Sequence, residues 1–149
     1  MNALASQIGN PSTVPEASTP RSRVWAARVL TAIPVLFLLM DSVMKLLALP
    51  LVTDSMAQLG YRPDPGLARG IGVVLFVCLL LYVVPRTSVL GAVLLTGYLG
   101  GAIATHVRIG HPLFSHVLFP VYVALLLWGG LYLREPRLRA LLPLRGDDR

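Results

Sequence analysis

Four long apolar runs dominate the chain, each bounded by charges or helix breakers. The first extends from about Val24 to about Leu49 and is interrupted by Asp41 and Lys45. The second, LARGIGVVLFVCLLLYVVP, carries no charge between Arg69 and Arg86, and the third, TSVLGAVLLTGYLGGAIAT, is uncharged from Thr87 to Thr105. The fourth, PLFSHVLFPVYVALLLWGGLYL, is free of Asp, Glu, Lys and Arg from Pro112 to Leu133. A helix rising 1.5 Å per residue needs about 20 residues to cross roughly 30 Å of hydrocarbon, and each run is about that long. The runs are apolar on every side and lack the alternation of barrel strands, so they predict membrane helices over about 24–49, 66–84, 87–107 and 113–133. The expected fold is all-α, an integral membrane four-helix bundle.

The breaks have local causes. Pro63, Pro65 and Gly66 precede the second helix, with Pro65 suited to a first-turn position whose N–H would be unpaired anyway. Pro85-Arg86 makes a very short turn, which forces the second and third helices to be antiparallel neighbours. Gly110 and Pro112 break the chain between the third and fourth. Pro34 and Pro120 fall inside the first and fourth runs, where each is expected to remove one backbone hydrogen bond and kink the helix. The segment of about residues 50 to 65, LVTDSMAQLGYRPDP, reads as a connecting loop. Residues 1–22 are rich in Ser, Thr and Pro, lack apolar periodicity and read as a disordered tail. Their bases come after the polar stretch rather than before the apolar one, so no signal-peptide cleavage is expected. The transmembrane domain is placed at 23–143 and a short C-terminal tail at 144–149.

Composition sharpens this picture. Of 149 residues only 13% are charged, about half the roughly 25% typical of soluble domains, and 55% are hydrophobic. A soluble domain this apolar could not cover itself with polar surface, so the excess faces lipid. The single cysteine, Cys78, excludes an internal disulfide, a CxxC dithiol and any Cys-based metal cage built by this chain alone. The net charge of +6 does not point to nucleic acid, because the basic residues sit at the edges of apolar runs rather than on a polar face. With four crossings, nine bases (Arg21, Arg23, Arg28, Arg86, Arg134, Arg137, Arg139, Arg145 and Arg149) share the side of both termini, against Lys45, Arg62, Arg69 and Arg108 opposite. The positive-inside bias therefore predicts cytoplasmic termini and a multi-pass protein of the cell's inner membrane. Trp25, Tyr82, Trp128 and Tyr132 fall near the cytoplasmic helix ends and read as interfacial anchors.

Candidate chemistry gathers in the other half. Asp41 and Lys45 stand one helical turn apart, so they can pair and lower the cost of about 2.5 to 3.5 kcal/mol each would carry at the bilayer centre. An intramembrane charge is a functional-site hypothesis by default, set against a self-satisfied ion pair that fixes the helix. His106, His111 and His116 span the third turn, so their rings can converge around Arg108 to bind a ligand or pass protons near pH 6.5. No acid lies in this turn to orient the rings, so no metal is assigned. Asp41, Lys45, His106, Arg108, His111 and His116 are the ligand-binding candidates, and no residue is assigned a catalytic role. The Arg rim alone is expected at the cytoplasmic end, so any small-molecule site should open on the opposite side. Gly97 and Gly101 form a small-residue pair that would let another helix approach, as would Gly66, Gly70 and Gly72, while Gly129-Gly130 would loosen the last helix end. No P-loop, GxGxxG, HExxH or Ser-His-Asp set is present.

MDSVMKLLALP at the end of the first helix, GYRPDP in the loop, VLLTGYLGGAIATHVRIGHPLFSHVLFPVY across the third and fourth, and LREPRLRALLP after them resemble the bacterial DoxX-like family. The resemblance covers about residues 25 to 143, and TGYLGGAIATHVR is its most specific part. The family name derives from a small membrane subunit of an archaeal thiosulfate:quinone oxidoreductase, and relatives occur beside thiol and redox enzymes. Lys45-Leu46 is similar to the family's common Lys-Leu at this position, whereas the second helix lacks the carboxylate that many relatives carry there. The resemblance implies an accessory or ligand-binding subunit of a quinone-linked membrane redox system, with a redox enzyme as partner and a homodimer permitted by the glycine pairs. The runner-up is a small-solute or proton-coupled transporter. A membrane enzyme with its own catalysis ranks third, Asp41 with His106 being the only set available to it.

Overall fold

A computed structural model describes residues 21–141, all helices and short turns. The elements are α1 (Arg21–Leu46), α2 (Pro50–Gln58), α3 (Pro65–Val83), α4 (Ser88–Arg108), a π-helical turn (Leu113–Val117), α5 (Phe119–Arg134) and α6 (Pro136–Leu141). Four stretches are long and apolar enough to cross a membrane: Val24–Leu46, Pro65–Val83, Ser88–Arg108 and Leu113–Arg134. α1 packs on α3 and α5, and α4 packs on the same two from the other side. Leu38, Leu75, Leu79, Leu95, Leu127 and Leu131 fill the shared core, joined by Tyr82. The predicted N-terminal tail lies outside the described residues except for Arg21 and Ser22, which are already helical. The C-terminal tail at 144–149 lies outside them entirely.

The helices end by a recurring device. After α1, the Leu49 N–H donates to the Met44 carbonyl and the Ala48 N–H to that of Lys45; Tyr61 to Met56 with Gly60 to Ala57 repeats the pair after α2. His111 to His106 with Gly110 to Val107 repeats it after α4. Each is a Schellman motif, whose penultimate residue must be left-handed. Gly60 and Gly110 take φ +78° and +71° without steric cost, whereas Ala48 takes +48° with a Cβ to accommodate. α1 thus stops at Leu46 rather than about 49. Pro50 drives Leu49 into an extended conformation (ψ 146°), because the residue before a proline is disfavoured in the helical region.

Residues 50–58, expected as loop, form α2. Pro50 supplies a pre-set first turn, and Met56 is buried under the bundle. Asp64 caps α3 by accepting the Gly66 N–H at 2.8 Å, with Pro65 in the first turn as expected. The α3–α4 turn is held by Thr87, whose hydroxyl donates to the Leu81 carbonyl at 2.8 Å. α1 runs through the buried Pro34, but the fourth span does not run through Pro120 as one α-helix. Pro120 has no N–H to return to His116, so the chain makes a π-helical turn, with Leu118 N–H bonded to Leu113 carbonyl at 2.8 Å, and α5 restarts with Pro120 in its first turn.

Close approach falls at Gly72, one of the glycines expected to allow it, and not at the Gly97–Gly101 pair. A Cβ on Gly72 would lie 2.9 Å from Lys45 Cβ and 3.0 Å from the Leu46 nitrogen, so α3 meets the end of α1 backbone to backbone there. The buried Ser42 hydroxyl uses that proximity to donate to the Gly72 carbonyl at 3.1 Å. Gly130 meets Thr31 on α1 in the same way rather than loosening a helix end, and Gly91 meets the Tyr82 backbone. Around Gly97 and Gly101 nothing lies within 4 Å, so the row read as a packing stripe borders open space instead. Tyr82 is no interfacial anchor: it is fully buried and its hydroxyl donates to the Leu127 carbonyl at 2.8 Å. Trp128 donates to Thr96 Oγ1 at 2.9 Å and ties α5 to α4, while Trp25 is 63% exposed, as an anchor should be.

Candidate functional site

The open space beside Gly97 and Gly101 is a cavity of about 460 Å³ between α1 and α4, closed at the end by α2. α1 contributes Asp41 and Lys45, α4 contributes Tyr98, Thr105 and His106, and Phe37, Leu38, Phe119 and Val123 supply apolar wall. Helical spacing explains the donor set: Asp41 and Lys45 lie one turn apart, and Tyr98, Ala102 and His106 follow each other at intervals of four on α4. Gly97, Gly101 and Thr105 form the adjoining row, and their small size leaves the volume free.

Lys45 Nζ donates to Asp41 Oδ1, and both side chains are partly buried. An ion pair screened from water is strengthened by its low-dielectric surroundings, and each charge satisfies the other without a third partner. On the facing wall, Thr105 donates to the Gly101 carbonyl at 2.9 Å. Its proton is thereby committed, so in the 3.1 Å contact between the hydroxyls of Tyr61 and Thr105 it is Tyr61 that donates. That contact fixes the segment between α2 and α3 over the cavity.

His106 points one edge into the cavity region and the other toward the turn. Its Nδ1 lies 2.9 Å from Nδ1 of His111, a distance that requires one nitrogen to carry a proton and the other to be bare. The rings of His111 and His116 follow at 4.9 Å between centroids, and His106 and His116 are 5.8 Å apart. His116 Nδ1 meets the Ser115 hydroxyl at 2.8 Å, and His116 is exposed at the end of the bundle. The three imidazoles therefore converge in a triangle at the turn, with His106 on the cavity wall and His116 exposed. They meet largely edge to face. Among the described residues no group of three or more His, Cys, Asp and Glu side chains is arranged to hold a metal ion.

Of the six expected ligand residues, Asp41, Lys45 and His106 line the cavity, whereas Arg108, His111 and His116 do not. Arg108 donates to the Leu59 carbonyl at 2.6 Å, at the carboxyl end of α2, where a cation also complements the helix dipole. Its role is to dock α2 against α4. Tyr61 and Tyr98 belong to the cavity and were missed from sequence. Tyr98 was findable as the only hydroxyl-bearing aromatic two turns before His106 on one helix face. Tyr61 was not, because its placement depends on α2.

The opposite end of the bundle holds more than a rim of arginines. A second cavity, of about 670 Å³, lies among the start of α1 and the ends of α3 and α5, with α6 beside them. Arg28, Arg134 and Arg139 line it together with Thr31, and it shares no lining residue with the first cavity.

Neither a curated protein nor a solved structure matches the chain. A family model, that of the DoxX-like family, matches residues 29–130, which take in α1 from its third turn, both lining walls of the first cavity and most of α5. Four apolar helices packed as one bundle, with that match over more than half the chain, make this a multi-pass membrane protein that belongs to the DoxX-like family.

Proposed function

We propose that this DoxX-like protein is an accessory, ligand-binding subunit of a quinone-linked membrane redox system and that the cavity between α1 and α4 receives the ligand's polar head. One observation carries the reading: Asp41, Lys45 and His106, from two helices that are not sequence neighbours, line a single cavity whose other walls are largely apolar apart from Tyr61, Tyr98 and Thr105. A volume of about 460 Å³ falls within the roughly 300–1,000 Å³ usual for small-molecule pockets. A quinone presents carbonyl acceptors, which the Lys45 ammonium and the His106 and Tyr98 protons match. Reduction of a quinone also takes up protons, and the cluster of His106, His111 and His116 reaches from the cavity wall to the exposed His116, with a ring-to-ring hydrogen bond between His106 and His111. The electrons belong to a partner enzyme, and no catalytic step is assigned to this chain. One chain lines the cavity by itself, so the reading does not need a homodimer. The excess of arginine among the residues flanking the spans supports cytoplasmic termini and an inner-membrane location by the positive-inside bias, which would set the ligand cavity in the outer half.

A second reading, a proton-coupled transporter, draws on the histidine cluster and on the second cavity at the opposite end. Leu38, Leu75, Leu95 and Leu127 are fully buried in the core, which favours a binding role over passage through the bundle.

The test is to purify the protein in mild detergent, extract co-purifying lipophiles and identify them by mass spectrometry beside the Asp41→Ala/Lys45→Ala double variant. A quinone retained by the wild type and reduced at least tenfold in a folded double variant is the expected result. Equal retention by both would overturn the site, and an empty wild type would overturn the ligand.

A further inference from the structure

Arg28, Arg134 and Arg139 come from α1, α5 and α6, yet they face one cavity of about 670 Å³. Its remaining lining is largely apolar: Val24, Ala27, Val35, Val83 and Leu133. Arg28 and Arg134 are exposed and Arg139 is half-buried, and no acidic side chain among the described residues forms an ion pair with any of them. Asp41–Lys45, at the other end of the bundle, is the ion pair formed among those residues. Glu135, the acid adjacent in sequence, turns its carboxylate to the Arg137 backbone N–H at 3.3 Å.

The three arginines differ in how they are held, and each retains donors for a ligand. Arg134 is fixed by a bond from Nη2 to the Tyr82 carbonyl at 2.9 Å and by its place 4.8 Å over the Tyr82 ring. That uses one of its five N–H groups. Arg139 has its Nε buried without a hydrogen-bond partner among the described residues, which is costly for a charged group. Arg28 sits 5.9 Å from the Trp25 ring and one turn inside the first membrane-length segment, where an unpaired cation is disfavoured. A multivalent oxyanion with an apolar body would satisfy all three observations at once. Guanidinium forks bind phosphate oxygens in pairs, and apolar walls beside them suit acyl chains.

We propose that this cavity is a binding site for a phosphate-bearing amphiphile, with Arg28, Arg134 and Arg139 gripping the phosphate and Val24, Val35 and Leu133 lying along its chain. The inference stands apart from the quinone reading, since the two cavities share no residue. The same phosphate chemistry is offered by a phospholipid headgroup and by a water-soluble phosphate ester, and the test separates them.

The full-length protein is studied by native mass spectrometry in detergent with phosphatidylglycerol, zwitterionic phosphatidylcholine and glycerol phosphate added in turn. The wild type is expected to retain phosphatidylglycerol at least tenfold better than phosphatidylcholine. Arg28→Gln/Arg139→Gln should abolish that preference, Arg28→Lys/Arg139→Lys should keep part of it, and Arg137→Gln, outside the cavity, should leave it intact. The lysine variant separates loss of charge from loss of fold. Glycerol phosphate binding as tightly as phosphatidylglycerol, with the same arginine dependence, would uphold the phosphate site and assign it a soluble ligand. Equal retention of the two lipids, or a preference unchanged in Arg28→Gln/Arg139→Gln, would overturn the site.

Discussion

A neutral imidazole carries one N–H and one bare nitrogen, and the 2.9 Å contact between His106 Nδ1 and His111 Nδ1 depends on that difference. Replacing His111 with Phe should cost about 1 kcal/mol of stability, the usual worth of one hydrogen bond. Unfolding of both proteins in detergent checks the magnitude, and a variant as stable as the wild type would refute it. At this scale the sequence was informative where spacing alone decides contact. Asp41 and Lys45 pair because four residues make about one turn, and the three histidines meet because a turn of known length joins them. It was silent where contact depends on a distant element. Arg108 looks like a ligand group in isolation, and only the position of α2 turns it to the Leu59 carbonyl.

Helices were legible from length and hydropathy, but their ends and pairings depended on single residues. The loop expected at 50–65 hides α2 because its polar residues mask a short helix started by Pro50 and held by Met56. Pro120 was read as a kink, yet its missing N–H displaces a whole turn into π geometry. Glycine spacing suggested close packing both at Gly97 and Gly101 and at Gly66, Gly70 and Gly72, and of these the close contact with another helix is at Gly72, where α3 touches the α1 backbone. A small residue permits approach without compelling it. Gly72→Ala should therefore destabilise the protein by about 1–3 kcal/mol, because the new Cβ meets backbone that cannot rotate away. Gly97→Ala should be neutral or stabilising by up to about 1 kcal/mol, since it meets open space and favours the helix. Parallel denaturation of the two variants tests the assignment, and similar losses in both would show that Gly97 is a packing residue after all.

The whole molecule is a bundle with a leucine-rich middle and a polar cavity toward each end. Hydropathy revealed the bundle and the family resemblance anticipated its membership, while the second cavity was hidden because Arg28, Arg134 and Arg139 are far apart in sequence and look like a flanking basic rim. The space between α1 and α4 is proposed to hold a lipophilic ligand by its polar head. The bare row of Gly97 and Gly101 offers the most direct test, since a side chain placed there enters the cavity without meeting packed backbone. We would titrate a short-chain quinone into the nanodisc-embedded protein by calorimetry, comparing wild type with Gly101→Leu at matched thermal stability. Such a site predicts saturable one-to-one binding by the wild type and at least tenfold weaker binding by the variant. Binding of equal strength in the two would contradict it, as would a wild type that takes up no quinone.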